Sequence, residues 1–105
     1  VATRDIELSA LTRFPGNARR GDVAEIRKSI KRHGQYRSLV VRDTGDALVI
    51  LAGNHTHDAI KSLADDPPSL GQLLEQFPEH ERRGQEAAAL ALLDQLKRRA
   101  ARCEV

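Results

Sequence analysis

An apolar run of strand type, Leu48-Val49-Ile50-Leu51-Ala52, ends at Gly53 and gives way to a polar cluster, Asn54-His55-Thr56-His57-Asp58. The cluster opens a helical pattern in which Ala59, Ile60 and Leu63 recur on one face. A strand that turns at a glycine straight into a helix excludes an all-helical fold. It also aims the first backbone N–H groups of that helix out of the end of a sheet. Those donors lack intrahelical partners and carry the positive end of the helix dipole, a setting suited to a phosphate or carboxylate. The alternative is a plain strand–helix junction with Asn54 as N-cap. Spacing alone leaves both open.

The rest of the chain supplies a small domain around this junction. Its 105 residues suit one compact domain with room for an appended helix. Hydrophobic residues make up 40% but aromatics only 3%, so the core is expected to be aliphatic. No run reaches the length of a membrane span and no secretory signal pattern opens the chain, which predicts a cytoplasmic protein without a membrane partner. The chain begins with Val and contains no Met, the pattern expected of a processed or trimmed product. The single Cys103 cannot form an internal disulfide.

Several further elements follow from local pattern. Ile6 and Leu8 alternate with charged residues, as in a short strand. Asp22 with Glu25 has the spacing of a capping box and starts a helix whose apolar stripe is Val23, Ile26 and Ile30. Gly34 stops that helix. Leu39-Val40-Val41 and Ala47 to Ala52 read as strands joined by a hairpin at Asp43-Thr44-Gly45-Asp46. Pro67-Pro68 ends the helix after Gly53. Ser69 with Gln72 predicts a short capped helix, and residues from Glu79 to about Arg102 read as one long helix. The expected organisation is an α/β domain of mixed α+β type over residues 1–66, then a helical extension over 67–105.

Charge is uneven. Residues 1–42 hold ten Lys/Arg against four Asp/Glu, a net +6, and residues 43–105 hold seven against eleven, a net −4. The basic half includes Arg27, Lys28, Lys31 and Arg32 on one helix, a candidate face for a DNA backbone recognised through charge. Solvated helix faces explain many such runs.

The order of these features resembles the ParB/sulfiredoxin superfamily, in particular the ParB N-terminal domain in its short phage and actinobacterial forms. The resemblance spans about Ile6 to Leu63 and rests on two boxes. Asn17-Ala18-Arg19-Arg20-Gly21-Asp22 matches the family's N-x-R segment. Gly53-Asn54-His55-Thr56 occupies the place of its G-x-x-R phosphate box. In ParB proteins these boxes cradle cytidine triphosphate with Mg²⁺. The resemblance therefore implies a nucleoside triphosphate held by Asn17, Arg19, Arg20, Gly53, Asn54, His55 and Thr56. It implies Mg²⁺ near Asn54, and His55 and Asp22 as candidates for catalysis. Asp22 is also read as the simple N-cap of its helix. Two departures shape the expectation. Asn54 replaces the sulfiredoxin cysteine, and an amide cannot act as a thiolate nucleophile. Thr56 replaces the closing Arg, a bidentate phosphate donor, so His55, Arg19 or Arg20 would have to compensate.

His55 and His57 are two residues apart, on well-separated sides of a helix, and do not suit a shared metal. Asp58 lies one turn after Asn54 and is a candidate to order it. Tyr36, Gln35 and Arg37 are candidates for the same edge. The expected function is nucleotide or phosphate binding in a DNA-associated system of phage, plasmid or chromosome, a pocket that leaves room for, without requiring, NTP hydrolysis with Mg²⁺ bridging the phosphates. A DNA nuclease and a non-catalytic interaction module with a degenerate site are the alternatives. Between Glu79 and Arg102, Ala87, Leu90, Ala91, Leu93 and Ala100 occupy overlapping faces while Leu92 and Leu96 lie to another side, which predicts a homodimer built on this helix, the alternative being packing against Leu70, Leu73, Leu74 and Phe77 of the same chain.

Overall fold

The computed structural model describes residues 2–13 and 23–105. Their architecture is mixed α/β, with four helices and a five-stranded mixed sheet among the described residues. The strands are β1 (Thr3–Glu7), β2 (Leu11–Arg13), β3 (Leu39–Asp43), β4 (Leu48–Ala52) and β5 (Ala100–Glu104). The helices are α1 (Val23–His33), α2 (Asn54–Asp65), α3 (Leu70–Glu75) and α4 (Glu79–Arg98). A single 3₁₀ turn, Leu8–Ala10, joins β1 to β2.

The sheet order is β1-β5-β3-β4-β2. The hairpin of β3 and β4 is antiparallel, with Val41 opposite Ile50, and β2 runs parallel to β4 along Leu11 to Arg13. One side of the sheet presents Ile6, Leu39, Val41, Ile50, Ala101 and Cys103 to the helices, and all six are buried. Alternation puts Val40 and Leu51 on the other face, where both are exposed. The helices close the core with Ile30 of α1, Ile60 and Leu63 of α2, Leu73 of α3, and Leu92 and Leu96 of α4. Val23 and Ile26 complete the α1 stripe from the core's edge.

The tail corrects the sequence reading. Residues 67–105 are not a purely helical extension: α4 stops at Arg98, and Ala100–Glu104 forms a strand inserted between β1 and β3. Arg99 makes the stop in the left-handed conformation (φ 52°, ψ 48°), its N–H reaching the carbonyls of Gln95 and Leu96. Glycine is the usual residue at such a turn, so Arg99 gave no sequence signal. Ala100-Ala101-Arg102 carries good helix formers, yet pairing on both sides overrides propensity. Ile6 lies opposite Ala101, and Leu39 pairs with Cys103. Burial of Cys103 pushes its thiol pKa up.

A buried polar knot fixes this strand. The Gln35 side chain donates to the carbonyls of Arg37 and Arg102 at 2.9 Å each and accepts from the Arg102 N–H at 2.8 Å. Gln95 of α4 donates to Gln35 Oε1 at 2.9 Å and to the Ala100 carbonyl at 3.1 Å. Gln35 is thus more than a helix-end residue. It ties the end of α1, α4 and β5 together.

On α4 the buried residues are Ala89, Leu92 and Leu96. Leu92 and Leu96, which lie to another side of the helix from Leu90, Ala87 and Ala91, therefore pack into the domain. Leu90 is the large apolar residue left at the surface, 49% exposed. No helix among the described residues is long and apolar enough to cross a membrane.

Candidate anion site at the start of α2

The junction that dominates the sequence has the expected course. β4 ends at Ala52, Gly53 turns the chain at φ 107° and ψ 20°, and α2 begins at Asn54. Glycine is required twice over. That φ is strained for any side chain, and a Cβ on Gly53 would sit 2.5 Å from Cδ2 of Leu39, which is fully buried. The bare Cα lets the helix start close against β3.

Gly53, not Asn54, is the N-cap, which corrects the reading of Asn54 as a capping residue. Gly53 has no side chain with which to cap the helix. The first intrahelical bond runs from the His57 N–H to the Gly53 carbonyl at 2.8 Å. Asn54 lies inside the first turn and is only 4% exposed, and its Oδ1 has no hydrogen-bond partner among the described residues. A buried acceptor without a donor is uncommon in native structures and calls for an explanation.

His55 and Thr56 are half-buried on the same turn. Thr56 lines a cavity of about 160 Å³ with Ser29 of α1 and with Tyr36 and Arg37 of the α1–β3 loop. The grouping of Thr56 with Arg37 was only partly legible. Tyr36 and Arg37 were candidates for this edge, but Ser29 carried no sequence signal. Tyr36 is 77% exposed, the most open large apolar side chain among the described residues. Asn17, Arg19, Arg20 and Asp22, the other half of the expected site, lie outside the described residues.

The two histidines part company, as their spacing requires. His57 is buried, its Nδ1 3.2 Å from Asp58 Oδ1. Asp58 in turn pairs with Arg13 of β2 at 2.9 Å. Asp58, read as a candidate partner for Asn54, instead orients His57 and anchors the edge strand. No group of three or more His, Cys, Asp or Glu gathers among the described residues.

The four cations of α1 do not form one open stripe. Lys28 pairs with Glu25 at 3.6 Å at the surface. Arg32 lies over the Phe77 ring, 4.7 Å from its centroid, and donates to the Gln76 carbonyl at 3.2 Å. Arg27 and Lys31 instead line a cleft of about 360 Å³ against Asp66, Pro67, Pro68 and α3. Tertiary packing has divided a run that looked uniform in sequence.

Asp65 at the end of α2 accepts from Arg99 at 2.7 Å and from Lys61 at 3.0 Å. The Arg99 bond foremost, then Lys61, holds its carboxyl below the ordinary carboxylate range. Both pairs are exposed and serve the local surface rather than the site. No protein-family model, curated protein or solved structure matches the chain.

Proposed function

We propose that the first turn of α2 binds the phosphate groups of a nucleotide, in the manner of the ParB-like domains that the sequence resembles. The observation that carries the reading is a glycine-started helix of 12 residues whose N-cap has no side chain to offer the first turn. The N-terminal end of such a helix, with its N–H donors and dipole, favours an anion. Arg37, sharing a cavity with Thr56, supplies a guanidinium near the place where the family's closing Arg would act. Arg19 and Arg20 belong to the same proposal through the resemblance.

Mg²⁺ accompanying a nucleotide fits the donor set in one respect. The unpartnered Asn54 Oδ1 is an uncharged oxygen of the kind that complements phosphate oxygens and water around this ion. When bound, the ion would neutralise phosphate charge. The chain's own residues would orient the phosphates through the α2 N–H groups. The DNA-associated setting belongs to the same proposal, supported by the resemblance and by the exposed Lys28 and Arg32 on α1.

Calorimetric titration with the four nucleoside triphosphates, with and without Mg²⁺, tests the assignment. Saturable binding of at least one is expected. Replacing Arg37 by Ala is expected to weaken it by about 1.5–3 kcal/mol, the size of a hydrogen bond to a charged group. Absence of binding under every condition, or full affinity in Arg37→Ala combined with Arg19→Ala and Arg20→Ala, would overturn it.

A further inference from the structure

The cleft between α1 and the α2–α3 connection points to a second ligand site, separate from the α2 turn. We infer that Arg27 and Lys31 bind a small oxyanion there, a carboxylate or phosphate group carried on a compact molecule.

Three observations converge on this cleft. Arg27 lines it, and Arg27 Nε is buried with no hydrogen-bond partner among the described residues. A guanidinium N–H without an acceptor costs free energy, and turning the Arg27 fork onto an oxyanion bound in the cleft would recover it. Lys31, one turn further along α1, lines the same cleft, and neither cation has an ion-pair partner among the described residues. Asp66 is the one acidic residue among the described residues lining the cleft, and the two cations there outweigh it.

The walls are already fixed. Gln76 donates to the Lys31 carbonyl at 2.6 Å, and Arg32 donates back to the Gln76 carbonyl at 3.2 Å. These bonds lock the end of α3 to α1, while Pro67 and Pro68 stiffen the opposite rim. A preorganised cleft loses little entropy on binding. Leu63 and Leu73 in its lining give the ligand's apolar part a surface to rest on. The volume of about 360 Å³ suits a small molecule. A planar guanidinium also prefers the paired oxygens of a carboxylate or phosphate to a single acceptor.

Site-resolved NMR titration of the whole chain tests the inference, with inorganic phosphate in one arm and succinate in the other. Saturable shifts of the Arg27 Nε–H and of the Gln72 and Gln76 amides are expected in at least one arm. The arm that saturates identifies the oxyanion. Arg27→Lys keeps the charge but loses the fork, and is expected to weaken binding about tenfold or more. Asp66→Asn is expected to strengthen it. Should Arg27→Lys perturb folding, Lys31→Gln provides the same comparison without touching the buried Nε. The inference is overturned if neither anion gives saturable shifts at these residues. It is also overturned if shifts appear only at Gly53–Thr56, or if affinity is unchanged in both cation variants. Failure at this cleft leaves the α2 turn untouched, because its resonances report separately.

Discussion

Replacing Gly53 by Ala tests the geometry of the α2 junction most directly. The substitution adds one methyl group and meets two obstacles. Holding a non-glycine residue at φ 107° costs about 1–3 kcal/mol. The new Cβ would also stand 2.5 Å from Leu39 Cδ2, and Leu39 is fully buried, so its side chain would have to shift within the core. Overpacking of this kind costs about 1–3 kcal/mol. Together the loss is about 2–6 kcal/mol, a large share of the roughly 5–15 kcal/mol that stabilises a domain of this size. Urea unfolding followed by circular dichroism reads it. With a slope of about 2 kcal/mol per molar, the midpoint is expected to fall by roughly 1–3 M at unchanged slope. A double-mutant cycle separates the two causes. Leu39→Ala alone removes about 2–5 kcal/mol, but it also clears the space that the methyl group added at position 53 needs. The double variant is therefore expected to be more stable than additivity predicts by about 1–3 kcal/mol. A Gly53→Ala loss below about 1 kcal/mol would refute the reasoning on backbone and contact together. Strict additivity would refute the contact alone.

Gln35→Ala is expected to cost about 2–4 kcal/mol, since it strands the Arg102 N–H and the Arg102 carbonyl at the buried knot; hydrogen exchange at Arg102 measures it, and unchanged protection there would contradict the role given to Gln35. Asp65, with its pKa depressed in the folded state, contributes stability at neutral pH that is lost as pH falls through that lowered value. Thermal melts of Asp65→Asn are accordingly expected to show a shallower loss of stability in acid than the parent, and identical profiles would count against the pair. A homodimer through α4 would have to use the exposed face around Leu90, Ala87 and Ala91, because Leu92 and Leu96 are already buried. Light scattering is expected to show a dimer that Leu90→Asp dissociates without unfolding, whereas a parent monomer at high micromolar concentration would exclude it. Leu92→Asp is expected to unfold the chain by placing a charge in the core.

Local pattern was enough wherever an element's residues supply its own stop and start. The 3.6-residue stripe of α1, the Gly34 stop, the β3–β4 hairpin and the Ser69–Gln72 capping box all depend on neighbours within a few positions. The box survives in full, with Gln72 N–H to Ser69 Oγ at 3.1 Å and Ser69 N–H to Gln72 Oε1 at 2.9 Å. Gly53 was legible for the same reason, although the clash with Leu39 that makes it obligatory lies 14 residues away in sequence. What tertiary structure decided is non-local. Ala100–Glu104 carries a helical composition, and only the two flanking strands and the Gln35 side chain, 67 residues distant from Arg102, make it a strand. The cations of α1 share one helix and one charge, yet packing against α3 directs Arg32 to Phe77 and places Arg27 and Lys31 along a cleft. Periodicity states which residues share a face. It cannot state what that face meets, because the free energy of the contact belongs to both sides.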